Sequence, residues 1–88
     1  MEQLFRRSGD IFAAPLDESV LLLNAETGRY HGLNGVAARI WEMLEQPVGE
    51  AELVSGLVAE FDVTPEECRR EVSAFLTHLR DRGLLSAE

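Results

Sequence analysis

Val20-Leu21-Leu22-Leu23-Asn24-Ala25-Glu26-Thr27-Gly28-Arg29-Tyr30-His31-Gly32-Leu33-Asn34 reads as two strands joined by a tight loop and running into a helix. Val20 to Leu23 is an apolar run of strand length with a β-branched start. Asn24 to Gly28 suits a hairpin loop, because Gly28 takes a positive φ where a side chain would be strained. In Arg29 to Leu33, period-two alternation puts Tyr30 and Gly32 on one face and Arg29, His31 and Leu33 on the other. Upstream, Asp10-Ile11-Phe12-Ala13-Ala14 is a further short strand closed by Pro15, and Asp17-Glu18-Ser19 turns the chain back. A three-stranded antiparallel sheet follows, with the Val20 strand central and the Arg29 strand outermost. Met1 to Gly9 shows no period and reads as a loosely held tail, which leaves residues 10–88 as one domain.

Downstream the period changes to that of helices. Asn34 is a favourable N-cap, and Leu33, Val36, Ala37, Ile40, Trp41 and Leu44 carry helical spacing until Pro47 stops it. Val48 and Leu53 form a hydrophobic staple around a Gly49 cap, and Leu53, Val54, Leu57, Val58 and Phe61 share one face of a second helix. The third helix is punctuated at both ends: Thr64 caps it, Pro65 takes its first position, Glu67 completes a capping box and Gly83 stops it. Its expected span is Pro65 to Arg82. Three strands followed by three helices make an α+β, winged-helix-like fold.

Composition narrows the function. At 88 residues the chain closes one core and has no room for a second domain. No apolar stretch approaches the roughly 20 residues of a membrane span, and no secretory signal follows Arg6 and Arg7, so a cytoplasmic location without membrane contact is expected. Cys68 is the one cysteine and has no partner for an internal disulfide, which suits a reducing compartment. The net charge of −8 opposes nucleic-acid phosphates. A DNA-reading winged helix would insert the third helix into a groove, yet its four arginines are balanced by Glu66, Glu67, Glu71 and Asp81. Catalysis fares no better: Cys68, His31 and His78 match no metal-ligand or nucleophile–base spacing, so no enzyme activity, metal or cofactor is expected. Cys68 falls on the Val72, Phe75, Leu79 stripe as a small core residue, Trp41 is a core anchor, and His78 lies off the stripe.

Binding remains. The outermost strand, Arg29 to Leu33, has unpaired backbone N–H and C=O groups along its free edge, and another strand can pair with them; Gly32 admits close backbone approach. On the third helix Leu76 is displaced to one side of the core stripe, near Arg69, Ser73 and Arg80. That flank fits either a groove wall or a widened core stripe; spacing alone does not separate them.

Leu22-Leu23-Asn24, Thr27-Gly28-Arg29-Tyr30-His31-Gly32-Leu33-Asn34, Ile40-Trp41 and Phe75-Leu76-Thr77-His78-Leu79-Arg80-Asp81-Arg82-Gly83-Leu84-Leu85 together resemble the PqqD-like family. Its members are recognition elements for ribosomally made, post-translationally modified peptides. The Gly-Arg-Tyr-His-Gly-Leu-Asn segment is most similar to stand-alone leader-binding proteins of lasso-peptide pathways. The resemblance implies a non-catalytic, monomeric protein that takes the leader of a precursor peptide as an added strand between the third strand and the third helix. It implies backbone pairing by Arg29, Tyr30, His31, Gly32 and Leu33, side-chain contacts from Ser73 and Leu76, and carboxylate contacts from Arg69 or Arg80. The implied partners are a cysteine-protease-like leader peptidase and an asparagine-synthetase-like cyclase. The alternatives are a peptide chaperone for a radical SAM enzyme of another modified-peptide pathway and a DNA-binding winged helix.

Overall fold

The structure, a computed structural model, describes residues 3–9, 11–17 and 19–87, and of Asn34 and Ala87 the backbone alone. The chain runs β1 (Leu4–Arg7), β2 (Ile11–Leu16), β3 (Ser19–Asn24), β4 (Arg29–Asn34), α1 (Gly35–Met43), β5 (Val48–Gly49), α2 (Glu50–Glu60), α3 (Pro65–Asp81) and β6 (Leu85–Ala87). The expected sheet is β2-β3-β4, antiparallel with β3 in the centre. Alternation sets its inner face: Val20, Leu22 and Asn24 of β3 are buried, and Leu33 of β4 joins them. With three helices packed beside it, the α+β, winged-helix-like arrangement read from the sequence is the one observed.

Two readings of the sheet need correction. Pro15 does not close β2 but lies inside it, opposite Val20. An edge strand tolerates this, because the missing N–H would have faced solvent. Asp10, expected to open that strand, and Glu18, expected in the turn, lie outside the described residues. The largest difference is at the N-terminus. Leu4–Arg7, expected in a loose tail, form the central strand of a second small sheet ordered β5-β1-β6. Phe5 packs against the core from this strand. Arg7 lies over the Trp41 ring, 4.7 Å from its centroid, and its Nε donates to the Trp41 carbonyl at 3.1 Å. Met1 and Glu2 of the expected tail lie outside the described residues.

The helices follow their punctuation. Asn34 belongs to β4, and the cap expected of its side chain lies outside what is described. α1 ends at Met43, short of Pro47, though the Leu44 N–H still reaches the Ile40 carbonyl at 3.1 Å. Gly49 caps α2, with Val48 and Leu53 both buried as a staple requires. In α3 the Thr64 hydroxyl accepts from the Glu67 N–H at 3.2 Å, and Pro65 fills the first turn, where no backbone donor is needed. Its end is a Schellman motif: the Leu84 N–H donates to the Leu79 carbonyl at 2.9 Å and the Gly83 N–H to Arg80 at 3.1 Å. Gly83 takes the left-handed conformation this needs, at φ 73°.

One core joins these layers. Leu22, Leu44, Leu53, Leu57, Val72, Leu79 and Leu84 are fully enclosed, each adding about 1.5–3 kcal/mol of burial free energy. Trp41 and Cys68 are buried with them, as their positions in the sequence suggested. No described helix is long and apolar enough to cross a membrane.

Candidate peptide-binding groove

Among the described residues β4 pairs with β3 along one side only, so its other side carries backbone donors and acceptors that no described strand satisfies. β2 forms the opposite edge of the same sheet, but Pro15 removes a donor from it. Every residue of β4 keeps its N–H. Arg29, His31 and Leu33 lie opposite Asn24, Leu22 and Val20 and share their inner face, whereas Tyr30 and Gly32 share the outer face of Leu23 and Leu21. Tyr30 is 65% exposed there. All five residues expected at the edge, Arg29 to Leu33, therefore lie along one open strand.

A hollow of about 460 Å³ runs beside this edge, walled on its far side by Phe75 and His78 of α3 and floored by Leu33, Ala37 and Leu84. At 100° per residue, Cys68, Val72, Leu79 and Leu76 point into the core. Phe75 and His78 then fall on the flank toward β4, and Arg69, Ser73 and Arg80 on the opposite flank. The structure thus exchanges two expected roles. Leu76, read as a displaced flank residue, is 3% exposed and belongs to the core; Phe75, read as core, is half-buried and faces the groove. Ser73 and Arg80 border a different hollow with Phe5 and Glu50, and Arg69 borders others beside α2. None of these four is brought to the β4 edge.

His31 also borders a second, wider hollow of about 590 Å³, bounded by the β3–β4 loop and the end of α3. Asn24 lines this hollow. It is buried; its Oδ1 accepts from the Glu26 N–H at 3.0 Å, and its Nδ2 reaches the Arg82 carbonyl at 3.5 Å. One side chain thereby shapes the hairpin loop and ties it to the α3 terminus. His31 sits between the two hollows, and its pKa is lowered from 6.5 by burial first and then by Arg82, His78 and Arg29. Spacing carried a signal for Asn24, since it follows Leu22 by two and must face inward beside a turn. Phe75 and Arg82 gave no such signal.

Cys68 is buried, its Sγ 3.9 Å from the Val54 carbonyl, and burial pushes its thiol pKa up, against thiolate formation. Among the described residues no cluster of three His, Cys, Asp or Glu side chains is placed to hold a metal ion.

Comparison with known proteins gives this geometry a family. No curated protein matches the chain. Two solved structures share its fold. TbiB1 in complex with the TbiA(beta) leader peptide is 34% identical with a TM-score of 0.87, over 92% of this chain and 94% of that one. Lasso peptide synthetase B1 complexed with the leader peptide is 29% identical with a TM-score of 0.83, over 93% and 96%. The profile of PqqD, coenzyme PQQ synthesis protein D, matches residues 19–85, a span holding the open edge, the α3 wall and the loop between them. The chain therefore belongs to the PqqD family.

Proposed function

We propose that this protein is a non-catalytic RiPP recognition element: it captures the leader of a ribosomally made precursor as a fourth strand on β4 and presents it to processing enzymes of a lasso-peptide pathway. The observation that carries this reading is the open β4 edge facing Phe75 across an apolar-floored groove, in a chain whose solved relatives are complexed with leader peptides. Strand addition supplies affinity through main-chain hydrogen bonds, and pockets for alternate side chains supply selectivity. The peptide-contact set is Arg29 to Leu33 through backbone, with Ala37, Phe75 and His78 through side chains. The peptide hands on to a cysteine-protease-like peptidase and an asparagine-synthetase-like cyclase. The chain acts as a cytoplasmic monomer without a cofactor.

Two adjacent residues test the placement. In calorimetric titrations with a synthetic lasso-precursor leader that the parent protein binds, Phe75→Ala is expected to weaken binding about tenfold while the domain stays folded. Leu76→Ala is expected instead to lower stability by about 2–5 kcal/mol in urea, with near-native affinity for the fraction that is folded. Unchanged affinity in folded Phe75→Ala would remove α3 from the site.

A further inference from the structure

The wider hollow gathers two arginines on a strongly acidic chain, with two carboxylates beside them. On a protein of net charge −8, Arg29 from β4 and Arg82 from the α3 terminus border one hollow, with His31 between them and His78 one turn back on α3. Glu26 and Asp81 border it too, but neither arginine makes an ion pair with any described residue. Asn24 ties the hairpin loop to the α3 terminus, so the backbone positions that carry the two arginines are held beside one hollow. The apolar floor at Leu33 and Ala37 lies at the other end of the same strand face.

We propose that the bound leader carries an acidic side chain whose carboxylate occupies the hollow between Arg29, His31 and Arg82. This rests on strand addition at β4 and adds the chemical class of residue selected there. A strand paired with β4 repeats side-chain direction every second residue, so those pointing inward lie opposite Arg29, His31 and Leu33. The groove thereby reads two chemistries on one face of the leader: an apolar residue over Leu33 and Ala37, against Phe75, and an Asp or Glu an even number of positions away. Guanidinium groups suit this task because they bind carboxylate oxygens in pairs.

The test uses the intact chain and the same synthetic leader, amidated at its C-terminus so that only side-chain carboxylates contribute. Each Asp or Glu of the peptide is changed in turn to Asn or Gln. One such change is expected to weaken binding about fivefold, at an even spacing from the apolar residue whose replacement by Ala costs most. Arg29→Gln and Arg82→Gln should each weaken the parent peptide similarly and leave the amide-substituted peptide unaffected, which marks direct coupling. Arg70→Gln, on the far side of α3, should change nothing. If every amide-substituted peptide bound like the parent, or if the arginine variants weakened both peptides equally, the proposal would be overturned. A parent peptide that did not bind at all would instead overturn strand addition itself.

Discussion

At the scale of single residues, the site turns on which way a helical side chain leans. Phe75 and Leu76 are neighbours in sequence, both apolar and both near the stripe of Cys68, Val72 and Leu79. Spacing alone could assign either to the core. What decides is the material packed on each flank: Phe5 and its strand cover the Leu76 side, whereas the Phe75 side meets an open strand edge. His31 shows the electrostatic counterpart. Its folded pKa is lowered by burial, then by Arg82, His78 and Arg29, so the unfolded chain binds its proton more readily. By linkage, stability rises with pH through the interval between the folded value and 6.5, and the penalty is complete below that interval. Glu26 and Asp81 also border the hollow, and the direction at His31 is still downward. The urea midpoint is therefore expected to be lower at about pH 5.5 than at about pH 7.5, and His31→Gln should reduce that difference. An equal difference in the variant would show that His31 is not a source of it.

Among the elements, those with strong local signals were legible in the sequence and the one without them was not. α3 announces itself through Thr64, Pro65 and Gly83, and each does in the structure what its chemistry predicts. The β3–β4 hairpin was equally legible, because an apolar run, a loop and an alternating strand follow one another within sixteen residues of Ser19–Asn34. β1 offers only Leu4 and Phe5 before two arginines. Its partners are a two-residue strand over forty positions away and a three-residue strand at the far end of the chain. Pairing this short and remote leaves no periodicity, and without β1 the spacing of α3 shows no cover for Leu76. The same pairing makes a prediction. Deleting Leu4–Arg7 removes the centre of the second sheet, the Phe5 packing and the Arg7–Trp41 stack, and should cost on the order of 3 kcal/mol in a urea titration. A stability equal to that of the full chain would contradict the role given to β1.

On the scale of the whole molecule, the two sheets have divided tasks. The β5-β1-β6 sheet seals the core beneath α3, and β2-β3-β4 holds one edge open beside the same helix. Because α3 is gripped on its Leu76 flank and anchored through its Schellman end to Asn24, its Phe75 flank stands at a fixed distance from β4. Under the proposed strand addition, a groove held this way needs little ordering when the peptide binds. The PqqD profile spans the β3–β4 hairpin, α1, β5, α2 and α3 and begins after β1 and β2, so it contains both walls of the groove and leaves out one strand of each sheet.

Amide hydrogen exchange, with and without the leader peptide, tests strand addition at β4 most directly. Leader binding is expected to slow exchange at outward-facing amides within Arg29–Asn34 and to leave Ile11–Leu16, the edge that carries Pro15, unchanged. Protection on Ile11–Leu16, or binding with no new protection on β4, would contradict it.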